Sequence, residues 1–342
     1  LNPVAALLTW GALNIVGGGP EVAERVRTAQ QEVYAAVDRQ ITEWGIEHNE
    51  KGDRSDAYLY CTETRCPECG WMVPMAPSWV IGEKTHTVAT LVSDERNKRF
   101  NIEIAQGVSR EEVDAAKLAG TTKDARLHCP HCKNSTPIAA IRGDRRGPES
   151  AENGLRLWEN NDVIPRPDDV FQERLYCIRY VHTWIDDDGK EKQDRYYIAP
   201  TDADLERERQ VEALIHERFH DWQTKGYLPD RRIEPGDETT RLMRERGWTH
   251  WHHLFTTRQL LVLGQFNVTT FAIVSDEIGR VACMLGLGRC LDHCSRLCVW
   301  DSSPANEKVA NTFLNQALNP IINYGCRTAK SLTTNWFFNS VR

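Results

Sequence analysis

The spacing of apolar residues predicts two helices at the beginning of the chain. Residues 3–14 form a short apolar stretch with a proline where the first helical turn would lie, and residues 17–20 read Gly-Gly-Gly-Pro. Proline is well accommodated in a first turn, whereas a run of glycines interrupts a helix. Over residues 21–47 apolar side chains then recur every three or four positions, which predicts a longer amphipathic helix.

Short strand-like runs replace the helical pattern after residue 56. Turn residues bound them, and one helical stretch at 109–118 interrupts them. A polar, glycine-rich segment at 143–153 precedes two longer β-rich runs, whose Asp-Asp-Asp-Gly connection at 186–189 predicts a hairpin turn. The short runs are 57–61, 71–74, 87–92, 99–104 and 136–141, and the hairpin runs are 175–185 and 192–198.

Helical patterns return after residue 200. Residues 201–225 carry only a narrow apolar stripe, so this charged segment is predicted to be a helix with a largely solvated face. Thr256 and Gln259 offer a capping box directly before an apolar run, which predicts a helix start. Further helices are predicted at 266–283, 285–298 and 307–318.

Composition and charge narrow the class of protein. The chain has 342 residues, 40% of them hydrophobic and 27% charged, which is typical of a soluble globular protein. Its eleven cysteines do not suggest a disulfide framework, and the apolar stretch at 4–16 is too short for a membrane helix, which needs about 20 residues. We therefore expect a cytoplasmic protein without a membrane partner. The opening Leu1-Asn2 and the apolar run at 336–338 suggest a piece of a longer protein.

The net charge of −7 argues against a surface that coats nucleic acid throughout. The acidic excess falls on residues 148–254, so we expect any nucleic-acid surface on the segment before it or on the C-terminal part. Arg142, Arg145 and Arg146 form a small basic turn next to the cysteine-bearing strands. This turn is either a phosphate contact or a solvated loop.

Two Cys-x-x-Cys sequences carry the strongest chemical signal. Cys66 and Cys69 form the first pair, and Cys129 and Cys132 form the second. Two residues between cysteines allow both sulfurs to reach one ion, and four thiolates suit a closed, tetrahedral structural zinc site. Redox dithiols are the alternative. Cys61 lies close to the first pair but is predicted to occupy a separate strand position.

Two other clusters are open to more than one interpretation. His250, His252 and His253 are either a metal or nucleic-acid site or a partly buried loop that leads into the Thr256 helix. Four later cysteines would lie along one helical stripe if that helix is continuous, either as a second metal or redox site or, as we favour, as buried packing residues. These four are Cys283, Cys290, Cys294 and Cys298.

Several stretches together resemble one family. They are Leu1-Asn2-Pro3-Val4-Ala5, residues 66–71 around the first cysteine pair, the turn at 139–146, the Arg-Pro-Asp-Asp sequence within 166–175, Phe255-Thr-Thr-Arg-Gln-Leu-Leu261 and Asn-Gln-Ala-Leu at 315–318. In this order they are similar to the middle of the large zinc-ribbon, DUF1156-containing, adenine-specific DNA methylases.

The resemblance implies an internal part of a DNA amino-methyltransferase that uses S-adenosylmethionine. It places Leu1 and Asn2 beside the adenine of the cofactor. The glycine loop for the cofactor and the Pro-Pro-Tyr loop that holds a flipped base have no counterpart in this chain. The resemblance therefore assigns no catalytic residue, and it implies that the chain alone is inactive. DNA would then be the partner of the longer protein.

We thus expect an α+β fold in which a zinc-ribbon β-hairpin module is inserted between helical pieces of a Rossmann-like methyltransferase domain. The expected parts are a helical piece at 1–55, the zinc-ribbon module at 56–147, an acidic hairpin-plus-helix insertion at 148–254 and a helical return at 255–342. The alternative is a zinc-dependent interaction module without catalytic activity, which binds a protein partner at the acidic segment.

Overall fold

Helices make up the beginning and much of the second half of the chain. The structure, a computed structural model, describes residues 2–146, 151–152, 154–313 and 317–332. Short 3₁₀ turns lie at Val16–Gly18 and Trp251–Leu254. The helices are α1 (Pro3–Asn14), α2 (Gly19–Trp44), α3 (Arg110–Leu118), α4 (Ile138–Ile141), α5 (Asp202–Thr224), α6 (Thr239–Arg246), α7 (Thr257–Ile273), α8 (Glu277–Leu291) and α9 (Ala329–Leu332).

The strands lie mainly between α2 and α5. They are β1 (Arg54–Arg65), β2 (Met72–Met75), β3 (Val80–Gly82), β4 (Thr87–Asp94), β5 (Arg99–Ala105), β6 (Thr122–Lys123), β7 (Arg126–His128), β8 (Ser135–Pro137), β9 (Arg145–Arg146), β10 (Ala151–Glu152), β11 (Phe171–Ile185), β12 (Glu191–Ile198), β13 (Trp300–Asp301), β14 (Lys308–Val309) and β15 (Asn323–Arg327).

One mixed sheet of eight strands organises the molecule. Its order is β12-β11-β1-β2-β5-β4-β3, and β15 also pairs with β1. The long strand β1 therefore pairs with three strands: with β11 along one side, and with β15 and β2 in succession along the other. Among the described strands, β2 and β5 pair in parallel, and the other pairs are antiparallel. The sheet thus joins segments that are up to about 270 positions apart in the sequence.

A layer of helices forms the largest apolar core. It contains buried side chains of α2, α5, α7 and α8, including Val33, Ile215 and Leu261. The narrow apolar stripe of α5 packs into this core while charged positions such as Glu206 and Glu217 stay exposed, as the sequence pattern predicts. Gly264 is what permits this contact, because a Cβ at Gly264 would lie 2.4 Å from the ring of Trp222. The glycine lets α5 approach the backbone of α7 closely.

Two buried arginines join the helical layer to the sheet. Arg258, at the start of α7, has its guanidinium 4.0 Å from the ring centroid of Tyr58 on β1, and it pairs with Glu208 of α5. Arg296 pairs with Glu173 of β11 at 2.7 Å and also donates to backbone carbonyls. A buried cation needs this degree of pairing, because removing it from water carries a large desolvation penalty.

Most predicted elements are present, and four predictions are wrong. The helix expected at 266–283 is interrupted, because α7 ends at Ile273 and α8 begins at Glu277. The helix expected at 285–298 ends at Leu291, so Cys294 and Cys298 follow it in turns. The strand expected at 136–141 ends at Pro137 and continues as the short helix α4. Residues 307–313 are not helical, because β14 pairs with β13 instead. These pairings are long-range contacts that local patterns do not contain.

The mixed α+β class is confirmed, whereas the Rossmann-like part stays a prediction. The described residues contain short strands around a four-cysteine cluster, as expected, but no parallel strand-helix-strand unit. The observed sheet also continues across the expected boundaries, since β1 crosses the first of them and pairs with β11 and β15 in the third and fourth predicted parts. None of the described helices is both long enough and apolar enough to cross a bilayer.

Candidate metal centre

The two cysteine pairs form matching turns at neighbouring strand ends. In the first, the amide of Gly70 donates to the carbonyl of Cys66 at 2.8 Å. In the second, the amide of Lys133 donates to the carbonyl of Cys129 at 3.0 Å. Gly70 and Lys133 occupy the same position and both have positive φ, 75° and 63°. Glycine adopts this conformation freely and lysine does not, so the second turn is held against a local preference.

The four sulfurs lie close enough together to hold one metal ion. The ligand atoms of Cys66, Cys69, Cys129 and Cys132 are all within 4.8 Å of one another. The distances Cys66 Sγ to Cys132 Sγ and Cys69 Sγ to Cys129 Sγ are both 3.7 Å. A tetrahedral zinc with Zn–S bonds of about 2.3 Å requires sulfurs about 3.8 Å apart. The arrangement is therefore compatible with zinc, and all four cysteines are free of disulfides.

The environment of the sulfurs favours occupation by a cation. Cys66 and Cys129 are buried, and burial raises the pKa of Cys129 to about 12 and the pKa of Cys66 above its usual value. For Cys132, burial is outweighed by the amide of Asn134 and the neighbouring thiols, which lower its pKa. A divalent cation deprotonates the thiols that bind it and so offsets the repulsion between four thiolates held close together.

An aromatic cluster packs against the sulfurs. The ring of Trp71 stacks on His131 with centroids 4.1 Å apart and contacts Phe100 at 5.1 Å. His131 lies between two cysteines, but its ring belongs to this stack. Met75 and Leu127 complete the cluster from β2 and β7. The metal centre and a small apolar core therefore stabilise the same end of the sheet, where β1 ends.

Cys61 and the later cysteines lie elsewhere. Cys61 is buried in β1, paired with Asn323 and Arg174 of its neighbour strands, which confirms a separate strand position. The thiols of Cys283, Cys290 and Cys294 pack in the helical core. Among the described residues, the four-sulfur cluster is the one group of three or more His, Cys, Asp or Glu side chains with ligand atoms this close together.

The histidine cluster is part of the packed interior. His252 and His253 are fully buried, and burial lowers their pKa to about 4 and about 2. His253 Nδ1 accepts from the amides of Thr249 and His250, and Nε2 lies 3.0 Å from the carbonyl oxygen of Glu159. Both nitrogens of His253 thus have protein partners. The cluster forms the turn that leads into α7, as the packing interpretation predicts.

The remaining candidate residues do not join the metal centre. Asn2 is exposed, and its side chain accepts from the amides of Val4 and Ala5 as the N-cap of α1, while Leu1 lies outside the described residues. Two nitrogens of the Arg142 guanidinium, Nε and Nη2, donate to Oδ2 of Asp144 at 3.0 and 2.6 Å. The backbone of Arg145 and Arg146 forms β9, which pairs with β10, and their side chains are outside what the structure describes.

A large polar cleft, which no sequence pattern indicates, lies at the start of β1. Its walls come from segments around residues 48–57, 179–195 and 293–331. Each segment has an ordinary mixture of charged residues, so no local pattern marks it. Comparison of the chain with protein-family models, curated proteins and solved structures finds no significant match.

Proposed function

We propose that Cys66, Cys69, Cys129 and Cys132 bind one structural zinc ion, and that the chain is part of a DNA amino-methyltransferase that uses S-adenosylmethionine. The observation that carries the zinc assignment is the 3.7 Å spacing of the sulfur pairs. Four protein sulfurs leave no coordination position for water or substrate, so the ion stabilises the fold and does not take part in chemistry.

The order of sequence motifs along the chain supports the methyltransferase assignment. Two of these motifs contribute buried contacts between the helical layer and the sheet. Arg258, in the motif at 255–261, lies against Tyr58, and Glu173, in the motif at 166–175, pairs with Arg296. Motif residues with a demanding packing role are what a shared fold would produce. Adenine N6 is the proposed methyl acceptor, and Leu1 and Asn2 are the proposed contacts to the cofactor's adenine.

The basic turn is the proposed DNA contact of the zinc module. Because the guanidinium of Arg142 is engaged by Asp144, the phosphate contacts would come from Arg145 and Arg146. A variant with Arg145→Ala and Arg146→Ala should bind duplex DNA more weakly than wild type. The slope of its log affinity against log salt should be smaller by up to about 2, because each phosphate that is no longer neutralised removes about 0.9 from the slope. An unchanged affinity and slope would exclude the turn as a DNA contact.

Methyl transfer tests the main proposal. The protein encoded by the full reading frame around this chain should transfer labelled methyl groups from S-adenosylmethionine to unmethylated DNA, with N6-methyladenine as the product. This chain alone should bind the cofactor too weakly to measure by calorimetry. An inactive full-length protein that retains zinc would overturn the methyltransferase assignment.

The second candidate function is a zinc-dependent module that binds a protein partner. It rests on the acidic excess at 148–254, which includes exposed carboxylates on α5 such as Glu206 and Glu217. Such a surface suits a basic protein partner better than DNA. Absence of both methyl transfer and DNA binding, together with retained zinc, would favour this candidate.

A further inference from the structure

A cleft of about 1030 Å³ opens at the end of the sheet away from the cysteines. Residues Arg54 to Ala57 of β1 line it, whereas Cys66 directly follows the other end of the same strand. The two sites are thus roughly 30 Å apart along β1, at about 3.3 Å per residue. The other walls come from the β11–β12 hairpin and from residues 306–309 and 327–331.

The charge of the cleft is opposite to that of the chain. The chain has a net charge of −7, but seven cations and four carboxylates line the cleft. One of the cations, Arg54, is paired with Asp38 and Glu47, which lie outside the lining. A concave surface that concentrates one sign of charge attracts ligands of the other sign. The lining cations are Lys51, Arg54, Arg179, Arg195, Lys308, Arg327 and Lys330, and the lining carboxylates are Asp53, Asp56, Glu191 and Glu307.

Protein contacts already engage most of these carboxylates. The carboxylate of Glu307 accepts from the amides of Lys84 and Thr85, both at 2.9 Å. Asp56 lies between two guanidiniums, 2.7 Å from Arg179 and 3.2 Å from Arg195. Asp56 thus shares one negative charge between two lining arginines, whereas the carboxylate of Glu307 is directed at backbone amides.

Three of the lining cations are exposed and accessible to a ligand. The side chain of Arg195 is 61% exposed, and its one ion pair shares Asp56 with Arg179. Lys51 and Lys308 are exposed as well, and the described residues give neither of them an ion pair. They approach the cleft from three separate segments, so a ligand between them would be contacted from several sides.

A histidine held by a buried carboxylate adds a directed polar group. His182 Nδ1 lies 2.7 Å from Asp53 Oδ1, and the hydroxyl of Tyr196 donates to the other oxygen of Asp53 at 2.5 Å. Because the carboxylate only accepts, the proton of the imidazole is fixed on Nδ1. The ring of His182 is further held by stacking on Trp184, with centroids 5.5 Å apart.

We propose that this cleft binds phosphate groups, with Lys51, Arg195 and Lys308 as charge partners. With its ring proton on Nδ1, His182 offers Nε2 as an acceptor for a hydroxyl of the ligand and not as a donor to phosphate oxygens. The volume of the cleft is that of a small-molecule site, which is typically about 300–1,000 Å³. Arginine forks and lysine point charges are the side chains that proteins use for phosphate oxygens. The phosphates belong either to a nucleic-acid strand or to a free nucleoside triphosphate. The proposal does not depend on the methyltransferase assignment.

Binding of four probes to the zinc-loaded 342-residue chain tests the proposal. The probes are a labelled single-stranded DNA, a labelled duplex DNA, ATP and inorganic triphosphate, each at low salt. The cleft variant carries Lys51→Gln, Arg195→Gln and Lys308→Gln. The control variant carries Arg39→Gln, Lys225→Gln and Arg244→Gln, which remove the same charge from α2, the end of α5 and α6. Zinc content and melting temperature should match wild type in both variants, because every altered side chain is exposed.

We expect the cleft variant to bind at least one probe about tenfold more weakly, which corresponds to about 1.4 kcal/mol. The control variant should stay within about twofold of wild type, since its charges lie outside the cleft. Loss confined to the DNA probes identifies a nucleic-acid strand as the ligand, and loss with ATP and triphosphate identifies a free polyphosphate. Equal affinities of wild type and cleft variant, or no binding of any probe by wild type, would overturn the proposal.

Discussion

Two sets of four cysteines in this chain show how differently the same side chain is used. Cys66, Cys69, Cys129 and Cys132 converge, with sulfurs in pairs 3.7 Å apart. The later four, residues 283, 290, 294 and 298, are distributed through the interior and form no such group. Convergence requires two tight turns, here at the ends of strands in two different sheets, to meet, whereas burial requires only an apolar neighbourhood. The number of cysteines therefore does not by itself identify a metal site, whereas the paired Cys-x-x-Cys spacing distinguishes the first set from the second.

Burial raises the pKa of thiols in both sets, with different consequences. Burial raises the pKa of Cys283 and Cys290 to about 12, so these thiols stay protonated and unreactive at neutral pH. Burial also raises the pKa of Cys129 to about 12, but three further sulfurs surround it. A bound cation deprotonates Cys66, Cys69, Cys129 and Cys132, called here the convergent set. It leaves the later four cysteines, the dispersed set, protonated.

The largest expected effect is the loss of zinc from the convergent set. Cys129→Ser removes one of four ligands, so near-stoichiometric zinc in wild type should fall to a small fraction in the variant. Structural zinc contributes about 10 kcal/mol or more of apparent free energy in small zinc domains, so the surrounding strands should partly unfold. Elemental analysis and circular dichroism measure both effects. Unchanged zinc content in Cys129→Ser would show that this residue is not a ligand.

A matched change in the dispersed set should leave zinc unaffected. Cys294 is fully buried in the helical core, and Cys294→Ser would place a hydroxyl among apolar side chains. An unsatisfied buried hydroxyl lowers the free energy of unfolding by about 1–3 kcal/mol. We expect that loss in chemical denaturation, with wild-type zinc content. Zinc loss in this variant would mean that the two sets are not independent.

The smallest effect is expected at the end of the dispersed set. Cys298 Sγ lies 3.3 Å from Thr312 Oγ1 and 3.5 Å from Ser295 Oγ. In Cys298→Ser the hydroxyl would find both partners, so the free energy of unfolding should fall by less than about 1 kcal/mol. The same denaturation experiment compares it with Cys294→Ser. A loss as large as that of Cys294→Ser would contradict the assigned hydrogen bonds.

The sequence predicts the features that depend on neighbouring residues. The two cysteine turns, the hairpin of β11 and β12 and the capping box at Thr256 are all local, and each is present. The capping box is complete, since Thr256 accepts from the amide of Gln259 and the side chain of Gln259 accepts from the amide of Thr256.

Features that depend on distant residues could not be predicted in this way. The burial of α5 follows from the fit of Trp222 against Gly264. The buried position of Arg258 follows from Tyr58 and Glu208, which lie far from it in the sequence. The positive φ of Lys133 has no glycine to signal it. The cationic cleft combines three remote segments, none of which has an unusual composition.

X-ray absorption at the zinc edge of the purified chain tests the central claim most directly. We expect one zinc per chain with four sulfur neighbours at about 2.3 Å. The spectrum should be the same in wild type and in Cys294→Ser, because only the convergent cysteines contact the ion. Nitrogen or oxygen atoms among the neighbours, or a chain that folds fully without zinc, would contradict a closed four-cysteine structural site.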